Sequence, residues 1–301
     1  KMSKIYIDGE WFDRDSAKIS VFDHGLLYGD GIFEGIRSYG GRIFKLHEHV
    51  QRLCNSAKGI LLEMPLTQEQ FEKIIVQAVR LNNLRDAYIR VVVTRGFGDL
   101  GLDMRKCKKP TVIVIADKIE LFPASVYEHG IKLITSSMRR TPHECLPPNI
   151  KSLNYLNNIL ARAEASRAGA QEAILLNLQG CVAECSGDNI FYLNKGEVVT
   201  PPVSAGILSG ITRAAVMEIL RDTMGVPISE NLFTVFDLYQ ADEVFLTGTG
   251  AEIIGVIDVD ARKIGNGKPG RMTRDLEKLF HEHALVHGVP VYEEPKALAK
   301  R

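Results

Sequence analysis

Short runs rich in β-branched residues are mixed with amphipathic helical segments without strict alternation, and this mixture limits the fold more than any other feature of the chain. In the first third, strand-like runs occupy residues 5–7, 32–39, 87–94 and 111–116. Apolar residues at helical spacing occupy 47–58 and 67–81, where Thr67 and Gln70 form a predicted capping box. A doubly wound parallel sheet would need regular alternation of strand and helix. We therefore expect an α+β fold with mixed sheets and flanking helices.

The rest of the chain continues the mixture. Strands are predicted at 131–137, 173–177, 190–193, 243–247 and 252–259, and helices at 154–167, 211–224 and 272–287. No fixed-period repeat is present, which excludes solenoids and propellers. No Gly-x-Gly-x-x-Gly follows a predicted strand, so a dinucleotide-binding fold is not supported.

The length of 301 residues suggests two domains. Residues 119–130 lose periodicity and include Pro123, which is typical of a linker. We predict a smaller N-terminal α/β domain over 1–118, an interdomain linker over 119–130 and a larger C-terminal domain over 131–301.

Charge and composition narrow the class of partner. The chain has 37 basic and 37 acidic residues, so nothing favours nucleic acid or an acidic membrane surface, and small molecules are the expected partners. No apolar run approaches the roughly 20 residues of a membrane helix, and the first eight residues resemble a strand rather than a signal peptide. We expect a soluble, cytoplasmic protein.

Five cysteines lack paired C-x-x-C spacing and are expected to be free thiols: Cys54, Cys107, Cys145, Cys181 and Cys185.

Two histidine clusters invite a metal interpretation, at His47-Glu48-His49 and at His281-Glu282-His283. On a helix, residues two apart point in directions that differ by about 200°, and neither cluster has the H-E-x-x-H spacing. We interpret both clusters as surface histidines and expect no metal site.

Lys151 has an unusual setting for a residue type that is mostly a solvated charge. It lies between the Pro147-Pro148 turn and an apolar stretch at the start of a predicted helix. Such a setting favours the neutral, nucleophilic amine of a Schiff-base lysine. Tyr155 follows four residues later and would share a helical face with Lys151, although a core tyrosine would have the same pattern.

Two glycine-bearing segments are suited to a phosphate. Residues 206–213 place small residues at a predicted helix N-terminus, and residues 247–250, Thr-Gly-Thr-Gly, follow a strand. Free backbone N–H groups at such places attract anions. Taken alone, such a segment is usually only a turn, because glycine there is first a conformational device.

Glu184 is an acid among small and apolar residues between two predicted strands. A carboxylate in that setting needs a partner. The pyridinium nitrogen of pyridoxal phosphate is suitable, because the carboxylate keeps the ring protonated as an electron sink. The alternative is a salt bridge in a loop.

Several motifs together resemble the branched-chain amino acid aminotransferases, which belong to the class IV aminotransferases with the D-alanine aminotransferase-like fold. The resemblance covers nearly the whole chain, and it is carried by residues 28–37, 48–53, 88–90, 150–158, 184–191, 210–213 and 241–252. It implies a two-domain enzyme that binds pyridoxal 5'-phosphate in the larger domain and transfers amino groups between L-leucine, L-isoleucine or L-valine and 2-oxoglutarate.

The resemblance also implies roles for residues around the cofactor. Lys151 would hold the cofactor covalently and move the α-proton, Tyr155 would bind its phenolic oxygen, and Glu184 would pair with its ring nitrogen. The phosphate would be held by Arg52, Ile211, Thr212 and Thr249, with the isoleucine acting through its backbone N–H.

Substrate residues follow from the same resemblance. Tyr88 with the Thr249 and Gly250 turn would bind the α-carboxylate, and Arg90 would bind the distal carboxylate of glutamate, although Arg90 could instead form a salt bridge at the strand edge. Two residues apart on a strand, Tyr88 and Arg90 would point to one face. The resemblance also implies that Phe33 and Arg37 bind the substrate. It further implies a homodimer, or a higher oligomer, in which Tyr28 and Leu100 of the neighbouring subunit cover the substrate.

One segment and two single positions depart from the family pattern. Residues 116–123 replace an aromatic-containing stretch of the side-chain pocket, Gly250 replaces alanine, and Cys185 replaces glycine or alanine.

D-amino acid aminotransferases and 4-amino-4-deoxychorismate lyases resemble the chain at Lys151 and Glu184 and remain alternatives. A noncatalytic cofactor carrier is an alternative of another class, and the presence of both a lysine and a substrate-carboxylate turn argues against it.

Overall fold

The computed structural model describes residues 3–118 and 122–292. The strands are β1 Lys4–Ile7, β2 Glu10–Asp13, β3 Gly31–Tyr39, β4 Arg42–Ile43, β5 Ala87–Thr94, β6 Thr111–Asp117, β7 Ile131–Arg139, β8 Glu172–Leu176, β9 Val182–Cys185, β10 Asn189–Asn194, β11 Glu197–Thr200, β12 Ile228–Glu230, β13 Glu243–Gly248, β14 Glu252–Val259, β15 Arg262–Lys263 and β16 Val289–Pro290. The helices are α1 His24–Tyr28, α2 Leu46–Gly59, α3 Gln68–Leu81, α4 Ala124–His129, α5 Leu156–Arg167, α6 Ile211–Glu218, α7 Val235–Tyr239 and α8 Arg271–His287.

The chain divides into two compact units. The first unit comprises Lys1–Ile119 and His283–Arg301, and its described strands form one sheet in the order β16-β4-β3-β5-β6-β1-β2. All pairs in this sheet are antiparallel, including the pair of β5 with β6. Helix α2 packs on β3, and α3 packs on β6 and β1. The predicted capping box at Thr67 and Gln70 is confirmed at the start of α3.

The second unit comprises Glu120–Glu282 and contains a mixed sheet in the order β12-β11-β10-β13-β14-β7-β8-β9. β7 is parallel to both β14 and β8, whereas β10, β13 and β14 are antiparallel neighbours. One face of this sheet carries a buried apolar cluster that includes Leu133, Ile190, Val244, Leu246 and Val256. The expected α+β class with a mixed sheet is confirmed.

Two predicted helices have different bounds in the structure. The helix expected over 154–167 begins at Leu156, because the Ser152 Oγ accepts a hydrogen bond from the Asn154 backbone N–H at 3.3 Å and competes with a helical start. The helix expected over 211–224 is α-helical only to Glu218 and continues as a π-helical turn over Ile219–Thr223.

The predicted linker contains a short helix. α4 starts directly after Pro123, a residue that favours helix starts, and residues 119–121 lie outside the described ranges. The five cysteines are unpaired, as expected. Of the helices in the described residues, none combines the length and the apolar character needed to span a membrane.

The turn at Gly96 generates a stability prediction. Gly96 has φ +94°, and a Cβ there would overlap the Lys109 carbonyl oxygen. Gly9 has φ +106° but no atom within 4 Å of a built Cβ, so Gly9→Ala is a matched control for backbone conformation alone. We expect Gly9→Ala to cost about 1–3 kcal/mol, and Gly96→Ala to cost clearly more, measured by urea unfolding. Equal costs would contradict the steric argument.

Candidate active site

Lys151 and Tyr155 are in contact in the second unit. The Lys151 Nζ donates to the Tyr155 hydroxyl at 3.1 Å and lies 5.6 Å from the centroid of its ring. The predicted shared helical face is wrong as a reason, because Tyr155 is the N-cap of α5 and Lys151 precedes the helix. Tight backbone turns, from Ser152 N–H to Ile150 and from Tyr155 N–H to Leu153, bring the two side chains together instead.

Glu184 lies on β9 with its carboxylate buried. Its Oε1 accepts from Arg140 Nε at 2.8 Å, and its Oε2 accepts from Asn189 Nδ2 and from the Leu208 backbone N–H, both at 3.0 Å. Sequence reasoning missed Arg140 and Asn189. Arg140 follows another arginine in what resembles a surface pair, and no local pattern distinguishes it.

The charge state of Glu184 depends on these neighbours. Burial raises the pKa of the Glu184 carboxyl, whereas Arg140, the Leu208 N–H and the more distant Lys151 cation act in the opposite direction. A buried carboxylate keeps its charge only when donors and cations surround it. Arg140 therefore favours the ionised form of Glu184.

The segment before α6 is tied to the same group of residues. Asn189 Nδ2 also donates to the Leu208 carbonyl at 3.1 Å, and the Ser209 N–H donates to Asn149 Oδ1 at 3.2 Å. Gly210 is the N-cap of α6, and a Cβ there would overlap Asn189 Oδ1. No side chain of the described residues caps this helix, so its first N–H groups, at Ile211 and Thr212, suit an anion.

The second glycine-bearing segment forms the turn between β13 and β14. Thr249 and Gly250 follow the last residue of β13, and Glu252 begins β14 with φ +59°. The Glu252 carboxylate pairs with His281 Nε2 at 3.1 Å. Within the described residues, the buried hydroxyl of Thr247 has no hydrogen-bond partner.

In the first unit, the structure brings four predicted substrate residues onto one face of the sheet. Tyr88 pairs with Arg37, and Arg90 with Gly35, so the side chains of Phe33, Arg37, Tyr88 and Arg90 share that face. Arg90 Nη2 donates to the Tyr88 hydroxyl at 3.0 Å, and its guanidinium lies 4.5 Å from the Phe33 ring centroid. A Cβ at Gly35 would overlap the Tyr88 hydroxyl. Glycine at this position therefore leaves room for the Tyr88 side chain to lie over β3.

Arg52 lies on the opposite face of β3, where α2 packs. Its Nε and Nη2 donate to the two oxygens of the fully buried Glu34 at 2.6 and 2.9 Å, and His49 Nδ1 bonds the same carboxylate at 2.8 Å. The expectation that His49 is a surface residue is wrong, because its side chain is 2% exposed. His47 is exposed and bonds Glu72.

Tyr28 and Leu100, predicted to act across a subunit boundary, lie in an exposed apolar part of the first unit. The Tyr28 hydroxyl accepts from the Gly101 N–H at 2.9 Å, and Leu100 is exposed. Exposed neighbours in the chain are Leu26, Phe97 and Leu102.

The donor set of the second unit fits pyridoxal 5'-phosphate. A lysine amine, a tyrosine hydroxyl, a buried carboxylate and an uncapped helix N-terminus are present in one unit. These are the groups that an aldehyde, a phenolic oxygen, a ring nitrogen and a phosphate require. The unpartnered Thr247 hydroxyl also points to a polar group that binds there.

Comparison with known proteins agrees with this chemistry. The model of the family described as amino-transferase class IV matches residues 31–259. A protein of Methanocaldococcus jannaschii, provisionally named a branched-chain-amino-acid aminotransferase, is 50% identical over 97% of this chain and 100% of its own. A Pseudomonas aeruginosa protein named branched-chain-amino-acid aminotransferase is 37% identical over 94% of this chain and 93% of its own.

Solved structures show the same similarity. The crystal structure of the Escherichia coli branched-chain amino acid aminotransferase has a TM-score of 0.92 and 33% identity, with 96% of each chain covered. A T.th. enzyme of that name, in complex with N-(5'-phosphopyridoxyl)-L-glutamate, has a TM-score of 0.89 and 38% identity over 95% of each chain. The expected D-alanine aminotransferase-like fold of class IV is therefore confirmed.

The buried Glu34 generates a prediction of pH dependence. Burial opposes its charge, but Arg52 and His49 lower the pKa of Glu34 from 4.5 to about 2. A carboxyl whose pKa is lowered by folding stabilises the protein above its unfolded-state pKa, and this contribution is lost as pH falls from about 4.5 to about 2. We expect a loss of about 3 kcal/mol from this group, measured by urea unfolding across that window. Glu34→Gln should be less stable at pH 7 and lose less on acidification; equal losses would contradict the assignment.

Proposed function

The chain belongs to the class IV aminotransferase family, and we propose that it is a pyridoxal-5'-phosphate-dependent branched-chain-amino-acid aminotransferase. It moves the amino group of L-leucine, L-isoleucine or L-valine to 2-oxoglutarate, and it produces a branched-chain 2-oxo acid and L-glutamate. The names of the relatives support this activity over D-amino acid transamination and over aminodeoxychorismate cleavage. The observation that carries the proposal is the Lys151 amine beside the Tyr155 hydroxyl in the unit that holds the buried Glu184.

The residues proposed to hold the cofactor are those that the family resemblance implies. Lys151 binds it covalently, Tyr155 donates to its phenolic oxygen, and Glu184 pairs with its ring nitrogen. The phosphate is bound by Arg52, by the N–H groups of Ile211 and Thr212, and by Thr249. When bound, the cofactor supplies an electron sink for the negative charge left on the substrate α-carbon after its proton is removed.

Lys151 is the proposed acid and base. Its Nζ would accept the α-proton of the amino acid and deliver it to the cofactor carbon that takes up the amino group. The Tyr155 hydroxyl, 3.1 Å away, keeps the amine oriented towards the reacting atoms.

Glu184 is assigned to keep the ring nitrogen protonated. Arg140, Asn189 and the Leu208 N–H occupy three acceptor positions of its carboxylate. A carboxylate has about four acceptor sites, and three donors leave one for the pyridinium N–H. These donors offset the burial that raises the pKa of the Glu184 carboxyl, and they favour its ionised form.

The substrate side uses the strand face of the first unit that carries Phe33 and Arg90. We assign Tyr88, Thr249 and Gly250 to the α-carboxylate and Arg90 to the distal carboxylate of glutamate. Phe33 supplies apolar surface for an aliphatic side chain, and Arg37 adds positive charge on the same face.

The working form is proposed to be a homodimer or a higher assembly of such dimers. The exposed large apolar residues in the chain around Tyr28 and Leu100 support it, because exposed apolar surface on a folded unit is typical of an interface. In that assembly, Tyr28 and Leu100 would cover the neighbouring subunit's substrate. The five unpaired cysteines support a reducing, cytoplasmic location.

A spectrum of the purified protein tests the activity. The bound aldehyde form should absorb in the visible range, and L-leucine should shift the absorbance to the amine form, whereas D-alanine should not. Lys151→Ala should lose this conversion, because it removes the amine assigned to hold the cofactor and to move the α-proton. Borohydride reduction followed by peptide mapping should place the label on Lys151, and a label on another lysine would refute the assignment.

A substitution of Arg90 should affect 2-oxoglutarate and L-leucine differently. A charged hydrogen bond is worth about 1.5–3 kcal/mol. Arg90→Met should therefore raise the KM for 2-oxoglutarate about 10- to 100-fold. The L-leucine half-reaction should be much less affected, because L-leucine has no distal carboxylate and loses only the support that Arg90 gives to the Tyr88 hydroxyl.

Tyr88→Phe is the comparison for that variant. It removes the hydroxyl assigned to the α-carboxylate, which both substrates carry, and should weaken both half-reactions similarly. Equal damage to both half-reactions in Arg90→Met would instead give Arg90 a structural role.

A further inference from the structure

The Thr247 hydroxyl is an anomaly in a well-paired sheet. Thr247 is 1% exposed, and its Oγ1 has no hydrogen-bond partner within residues 3–118 and 122–292. A buried polar group without a partner costs free energy, so native proteins rarely retain one without a ligand or another use for it. A valine would have the same branched shape and suit a strand equally well.

The direction of this side chain follows from strand register. Val244 and Leu246 on β13 belong to the apolar cluster on one face of the sheet, so Phe245 and Thr247 point to the other face. Phe245 stacks on Phe191 of the neighbouring strand at 5.0 Å, in agreement with that assignment.

Asn189 gives the position of the hydroxyl on this face. Thr247 and Asn189 are directly opposed in the antiparallel pair of β10 and β13, so their side chains are neighbours on the same face. Asn189 bonds the Glu184 carboxylate and the Leu208 carbonyl, and its Oδ1 lies against Gly210 at the start of α6. The unpartnered hydroxyl therefore lies beside the residue that joins the buried carboxylate to the helix N-terminus.

We propose that the Thr247 hydroxyl is an additional hydrogen-bond donor to the phosphate of the bound cofactor. This inference rests on the proposed function. Two predicted phosphate-binding elements flank Thr247, namely the start of α6, reached through Asn189, and Thr249, two residues further along the chain. An anionic oxygen is the acceptor to which a hydroxyl donates most strongly.

Thr247→Val tests the proposal with two readouts of opposite sign. We expect the dissociation constant of pyridoxal 5'-phosphate to rise about 10- to 100-fold, because one charged hydrogen bond is lost. We expect the cofactor-free protein to be equally or more stable to urea, because a buried group without a partner is removed. Thr200→Val is the matched control, since the buried Thr200 hydroxyl donates to the Ile190 carbonyl at 2.9 Å. That variant should lose stability and keep its cofactor affinity.

Pyridoxal, which lacks the phosphate, identifies the end of the cofactor involved. Its affinity should be the same for the wild type and Thr247→Val. An equal loss of affinity for pyridoxal and its phosphate would overturn the assignment to the phosphate. Destabilisation of cofactor-free Thr247→Val comparable with that of Thr200→Val would overturn the proposal whatever the affinity, because the hydroxyl would already have a partner.

An unchanged affinity of Thr247→Val for pyridoxal 5'-phosphate would also overturn the proposal. Failure of the proposed function is a separate result, because the wild-type protein would then not bind pyridoxal 5'-phosphate at all.

Discussion

The buried carboxylate of Glu184 is the constraint on which the second unit depends. A charge removed from water must be surrounded by donors, and here Arg140, Asn189 and the Leu208 N–H supply them. These donors come from the residue after β7, from β10 and from the segment before α6, so satisfying one charge brings three parts of the chain together. The start of α6 and the Lys151 turn, which Asn149 joins to Ser209, then occupy defined places near that charge.

The first unit also contains a buried carboxylate that is surrounded by donors, that of Glu34. Its carboxylate is fully buried and joins β3 to two residues one helical turn apart on α2, His49 and Arg52. Because side chains alternate along a strand, the neighbouring Phe33 points to the opposite face with Arg90. A single strand therefore separates an ionic, buried face from an aromatic face that carries a cation. This separation suits a surface that must accept both an aliphatic and an acidic substrate.

The proposed chemistry of the second unit uses turns held by a rigid sheet. Thr249 and Gly250 lie in the turn between two paired strands, and Gly210 lies at the start of a helix. The pairing of β13 with β14 fixes the direction of the backbone groups at Thr249 and Gly250. Asn189 fits closely against Gly210 because glycine has no Cβ. The pre-formed arrangement avoids much of the ordering cost that binding a small charged cofactor would otherwise carry.

The sequence by itself determined the α+β class, most element positions, and Lys151, Glu184 and both glycine turns as candidates, because periodicity and turn chemistry are local signals. Only the tertiary structure decided which distant residues meet. Arg140 and Glu184 are 44 positions apart, and Glu34 bonds a histidine that the sequence assigned wrongly to the surface. The unpartnered Thr247 has no signature in its own segment, because a hydroxyl's partners depend on strand register. Register and burial arise when separate segments pack together, and a local pattern carries neither of them.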